Sequence, residues 1–74
     1  MNKLEIVLNS IPYADIHKGV QEIKHMEETG IMPVGGIRQW AARVVSDVDL
    51  SYNDARKVIE SYVLHKAAYY WAGV

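Results

Sequence analysis

Apolar side chains recur every three or four residues over most of this 74-residue chain, and that spacing limits its fold more than any other feature. The clearest runs are Tyr13, Ile16, Val20, Ile23 and Ile37, Ala41, Val44, Val48. Residues at this spacing share one face of an α-helix. We therefore predict an all-α fold: a compact bundle of three to four helices that forms a single helical domain over residues 1–74.

Residues that start and stop helices divide the chain into segments. Pro12 marks the beginning of a second helix, and Gly30 marks its end as a left-handed cap. Ser51, followed three residues later by Asp54, is a variant capping box. It begins a last helix that we predict from Tyr52 to about Trp71. This long C-terminal helix should form the spine of the bundle.

Two further positions carry information about packing. Residues 2–11 fit either a strand, because Leu4, Ile6 and Leu8 alternate, or one face of a helix. We favour a short helix, because a lone strand would have nothing to pair with. Gly19 lies inside the second helix, where glycine costs about 1 kcal/mol relative to alanine. We expect another element to approach closely there.

Composition excludes several classes of protein. The chain has no cysteine, so disulfide frameworks and cysteine-based zinc sites are excluded. Eight Lys and Arg residues against nine Asp and Glu give a formal charge of −1, which excludes a polybasic nucleic-acid arm. The opening residues have neither a signal peptide nor a long apolar run. We expect a cytoplasmic protein that does not bind a membrane.

The sequence has little that predicts chemistry. Glu22 and His25 have the Glu-x-x-His spacing of di-iron bundles, which need two such motifs, and this chain has one. A further group on the same helix comprises His17, Gln21 and Glu28. We interpret these side chains as a solvated polar face and predict no metal and no other cofactor. No nucleophile elbow is present, so we predict no enzyme activity and no small-molecule substrate.

The pair Gly35-Gly36 stands directly before the third helix. Backbone amides at such a point can bind a phosphate or a carboxylate. The pair lacks the Lys-Ser/Thr and the preceding strand of nucleotide-binding loops, so a glycine N-cap explains it equally well.

Helical spacing leaves several large residues of the last helix without an obvious place in the core. Its predicted core stripe also contains Lys66, and the stripe of the second helix contains Glu27, so the two could pair or could each extend to water. Leu64 and Trp71 are seven residues apart on the opposite, polar face. Either the N-terminal segment or another molecule should cover them. The core stripe comprises Ala55, Val58, Ile59, Tyr62, Val63, Tyr69 and Tyr70.

These residues lead us to predict a protein that binds another protein. The chain has five Tyr and two Trp but no Phe, and Tyr and Trp are the aromatic residues enriched in interfaces. Self-association as a homodimer is a version of the same hypothesis. In format the chain resembles small accessory and inhibitor proteins of bacteriophages and mobile elements, which implies an inhibitor or an adaptor. The candidate partner-binding residues are Trp71, Tyr70, Leu64, Tyr62 and Lys66.

The alternative is a DNA-binding regulator. Residues 37–62 are loosely similar to a helix-turn-helix unit, and residues 50–55 resemble the start of the second helix of bacterial histone-like proteins. Acidic residues (Asp47, Asp49 and Asp54) surround the helix start that would face phosphates, and near-neutral charge is atypical of DNA binding. Nucleic acid is therefore the second choice of partner. The candidate DNA-binding residues are Asn53, Arg56, Lys57, Arg38 and Arg43.

Overall fold

The computed structural model describes the backbone of residues 2–71 and the side chains of residues 2–69. Over this part of the chain it contains four helices and no strand, so the prediction of a small all-α bundle is confirmed. The first segment is a helix, as predicted. None of the four is both long and apolar enough to cross a membrane. The helices are α1 (Lys3–Asn9), α2 (Tyr13–Thr29), α3 (Gly36–Asp47) and α4 (Tyr52–Trp71).

The helix ends follow the sequence signals closely. Gly30 ends α2 with a φ of 78°, in the left-handed region that favours glycine, and its N–H donates to a backbone carbonyl of the last turn. The Ser51 hydroxyl accepts a hydrogen bond from the Asp54 N–H at 3.2 Å, and α4 begins between them. At the N-terminus, the Asn2 side chain accepts from the Glu5 N–H at 2.8 Å and caps α1.

One apolar core joins the four helices. The longest helix, α4, packs on α2 and α3, and α3 also packs on α1 and α2. The chief packing partner of α1 is α3, so the N-terminal segment does not lie along α4. The buried residues are Val7, Ile11, Ile16, Ile23, Met32, Ile37, Ala41, Val44, Ala55, Ile59, Val63 and Ala67.

At Gly19 the backbone of α2 lies close to a side chain of α4. A Cβ atom added at Gly19 would lie 3.0 and 3.2 Å from the two methyl carbons of Val63, and 3.6 Å from a side-chain carbon of Ile37. Glycine therefore allows the backbone of α2 to rest directly on the Val63 side chain. The close approach predicted from the sequence is confirmed.

We expect Gly19→Ala to lower the free energy of unfolding by about 1 kcal/mol, although alanine is the better helix former. The Val63 side chain is buried and β-branched, so it cannot turn away from a new methyl group without disturbing its neighbours. Urea denaturation measures the change. In a Val63→Ala background the same Gly19→Ala change should instead stabilise, and stabilisation in the wild-type background would show that the contact has room to relax.

Candidate functional site

The outer face of α4 carries an exposed leucine. Leu64 keeps 48% of its surface accessible to solvent, whereas Val63, its neighbour in the chain, is buried. Asn53 and Lys57, which precede Leu64 on the same side of the helix, are exposed, and Glu60, one turn before it, is partly exposed. Leu64 is therefore an apolar side chain within polar surroundings. We call this surface, made up of Asn53, Lys57, Glu60, Leu64 and Ala68, the outer face of α4.

A second group of side chains lies along another edge of α4. The Lys66 ammonium group stands 5.6 Å from the centroid of the Tyr62 ring and 5.7 Å from that of the Tyr69 ring. Both distances are in the range of cation–π attraction. The Tyr62 hydroxyl also donates a long hydrogen bond, 3.4 Å, to the Asn9 side chain at the end of α1. Tyr62 is half-buried, and this hydrogen bond is a point of contact between the end of α1 and α4.

The predicted core stripe of α4 is wrong at Tyr69, which is 73% exposed. Ala67 occupies the buried position at this level of the helix instead, because α4 turns the small residue toward α2 and α3. Pairing between Lys66 and Glu27 is also wrong: within residues 2–69 no ion pair joins them, and Glu27 is exposed. Lys66 lies over aromatic rings instead.

Two of the predicted partner-binding residues, Tyr70 and Trp71, are backbone members of α4 whose side chains lie outside the described residues. Of the predicted set, the structure therefore describes the side chains of Leu64, Tyr62 and Lys66. Tyr62 and Lys66 contact each other, while Leu64 lies on a different side of the helix.

The residues of the DNA-binding alternative are divided between internal contacts and open surface. The Arg38 guanidinium donates to the Met32 carbonyl at 2.7 Å and so belongs to the α2–α3 connection. The Arg43 Nε donates to Asp47 at 2.9 Å. Arg56 is partly buried and its Nε stands 3.9 Å from a Glu60 oxygen. Asn53 and Lys57 alone of the set are exposed and outside these contacts.

At the start of α3, the glycine pair Gly35-Gly36 lies against a carboxylate of the same chain, that of Glu22. The Glu22 carboxylate accepts hydrogen bonds from the Gly36 N–H at 3.1 Å and the Ile37 N–H at 3.0 Å. A Cβ atom at Gly35 would lie 2.8 Å from a carboxylate oxygen of Glu22. Glu22 thus neutralises the positive end of the α3 dipole.

The candidate metal ligands of α2 do not converge. Glu22 is turned toward α3 as described, and the Gln21 amide lies 3.2 Å from the His17 ring nitrogen. Within residues 2–71, no three His, Asp or Glu side chains come close enough to hold a metal ion.

A groove that the sequence does not predict lies between α1 and α3. Its volume is about 320 Å³, and the exposed side chain of Ile6 forms one wall. Trp40 of α3 also lines the groove, and its indole N–H donates to the Asp15 carboxylate at 2.9 Å. The sequence pattern of α3 contains no signal that α1 lies beside Trp40. The lining residues are Lys3, Ile6, Val7, Ser10, Trp40, Arg43, Ser46 and Asp47.

Comparison of the chain with protein-family models, with curated proteins and with solved structures found no match. Inferences about function therefore depend on the surfaces described above.

Proposed function

We propose that this chain is a non-enzymatic adaptor or inhibitor that binds a protein partner through the outer face of α4. The observation that carries the proposal is the half-exposed side chain of Leu64. It lies on the side of α4 that faces away from the buried residues Ile59 and Val63. An apolar side chain inside a polar rim is the usual arrangement of an interface anchor.

The packing of α1 supports the proposal. The N-terminal segment is the candidate cover for Leu64 that the sequence offers, and it packs chiefly on α3 instead. Ala68, one turn after Leu64, is also exposed. Leu64 and Ala68 thus form a short apolar strip, which the sequence spacing alone extends to Trp71, a residue whose side chain lies outside the described ones.

The charges beside this strip favour a protein over DNA. Lys57 lies two turns before Leu64, and Glu60 lies one turn before it. The two side chains carry opposite charges. The outer face therefore has almost no net charge, and its affinity for a partner should depend weakly on salt. Of the three arginines of the DNA-binding alternative, Arg38 donates to a backbone carbonyl and Arg56 lies beside an acidic side chain. Arg43, which is bonded to Asp47 through one nitrogen, lies on α3 and not on the predicted recognition helix.

The test is a Leu64→Asp substitution. A charge at the centre of an apolar contact should weaken binding of a captured partner by at least about tenfold. Val34→Asp is the matched control, because Val34 is an aliphatic residue that is 87% exposed and distant from α4 in sequence. Affinity capture from the native host identifies the partner, and titration of the purified partner measures the affinities of wild type and both variants.

Equal binding by wild type and Leu64→Asp would contradict the proposal. So would a loss of several decades of affinity between about 50 and 200 mM salt, which is the behaviour of a nucleic-acid complex. Sedimentation across a concentration series identifies self-association: a dimer lost in Leu64→Asp and kept in Val34→Asp would make the partner a second copy of the chain.

A further inference from the structure

We propose that the groove between α1 and α3 binds the C-terminus of a peptide whose last side chain is apolar. The surface is separate from the outer face of α4, so this inference stands independently of the function proposed above. Two features of the groove carry it: the apolar side chains of Ile6 and Trp40 within a lining that is about half polar, and two cations among the lining residues, Lys3 from α1 and Arg43 from α3.

The groove exposes apolar side chains among polar ones, and one of these apolar side chains is held in place. Ile6 of α1 is 52% exposed, whereas the next residue, Val7, is buried in the core. Trp40 is half-buried, and its hydrogen bond to Asp15 fixes the plane of the indole ring. A ligand side chain that packs against Ile6 and Trp40 would bury its apolar surface. Because the Trp40 ring is already held, binding does not have to immobilise it, and the entropic cost of binding is lower.

The two cations have unused binding capacity. Lys3 forms no ion pair with any residue that the structure describes. Arg43 is bound to Asp47 through its Nε, its side chain is 63% exposed, and no contact in the described part of the chain occupies its two terminal nitrogens. A guanidinium presents those nitrogens to a carboxylate as a fork.

Charge complementarity selects the occupant. Lys3 and Arg43 against Asp47 give the lining residues one net positive charge, and the nearby Asp15 carboxylate, which is not among them, accepts the Trp40 indole N–H. An occupant must therefore offer one negative charge beside an apolar group. A peptide C-terminus that ends in leucine or valine has this chemistry within a single residue, because its α-carboxylate and its side chain leave the same Cα. Asp47 would repel a second carboxylate, which favours one acidic group over an acidic run.

The smallest probe with this chemistry is N-acetyl-leucine, and its matched control is N-acetyl-leucinamide, which lacks the charge. Titration at constant ionic strength is followed by NMR, through the Trp40 indole N–H and the Ile6 methyl groups. The chain has two tryptophans, so Trp40→Phe assigns the indole signal. We expect saturable shifts with a dissociation constant on the order of 1–10 mM, and binding of the amide about tenfold weaker.

Variants at the rim test the role of the cations. Lys3→Gln and Arg43→Gln should each weaken N-acetyl-leucine binding about threefold while the amide spectrum of the fold stays unchanged, because both side chains are exposed. Leu64→Asp should bind the probe as wild type does, which separates this test from that of the proposed function.

Three results would overturn the inference. The first is the absence of a saturable shift at Trp40 and Ile6. The second is equal affinity for the acid and the amide. The third is equal affinity for N-acetyl-aspartate, which would show that the groove responds to negative charge alone and that the apolar cleft has no part in recognition.

Discussion

Replacing Ile59 with alanine should lower the free energy of unfolding by about 3 kcal/mol, because the change leaves a cavity at a position with no exposed surface. Ile59 lies in the middle of α4, where this helix packs on α2 and α3. A core of this size supplies a net stability of only about 3–5 kcal/mol. If the net stability is at the lower end of this range, the variant should be close to half unfolded at room temperature. At the upper end, its melting temperature should fall by about 15 °C.

Leu64→Ala is the matched control for this prediction. It removes an aliphatic side chain from the same helix at a position that is half exposed, so it should cost less than about 1 kcal/mol. Calorimetry or urea denaturation of the two variants, side by side, measures the difference. Equal losses at Ile59 and Leu64 would mean that α4 is rotated relative to the packing described here.

Replacing Glu22 with alanine should destabilise the fold by about 2 kcal/mol. Its carboxylate accepts the N–H groups of Gly36 and Ile37, which open α3 and are partly buried. Without Glu22 these donors lose their acceptors, and the positive end of the helix dipole loses its counter-charge. Thermal unfolding followed by circular dichroism measures the change, and amide exchange at residues 36 and 37 reports it locally.

Glu28→Ala provides the comparison on the same helix. Glu28 is exposed, so its removal should change stability by less than about 0.5 kcal/mol. Glu22→Gln should fall between the two alanine variants, because the amide keeps one oxygen as an acceptor and loses the charge. If Glu22→Ala and Glu28→Ala are equally stable, the carboxylate does not support α3 in solution.

Much of the fold could be predicted because its determinants are local. The cap at Ser51 and the left-handed glycine at Gly30 are each made by residues within a few positions of the helix end. The burial of Ile37 and Ile59 follows from spacing along a single helix. Gly19 is an intermediate case: its cost within a helix indicated a close neighbour, but only the structure identifies that neighbour as Val63.

The surfaces could be predicted less well, because they depend on which helices lie side by side. Glu22 was interpreted as part of a polar face, and it binds amides fourteen and fifteen residues further along the chain. Helical spacing predicts Tyr69 in the core, but Ala67 takes the buried position at this level of α4 and Tyr69 is exposed. The groove requires α1 and α3 to be neighbours, and no residue pattern within either helix contains that information.

The short length of α1 has a consequence for how the groove behaves over time. A helix of seven residues is not stable alone in water, so α1 stays folded only while Val7 and its neighbours remain docked on α3. Local opening of α1 would remove one wall of the groove and leave the rest of the core in place. Hydrogen exchange of the α1 amides should therefore be faster than that of α3 and should slow when the groove is filled, which makes α1 a reporter of occupancy.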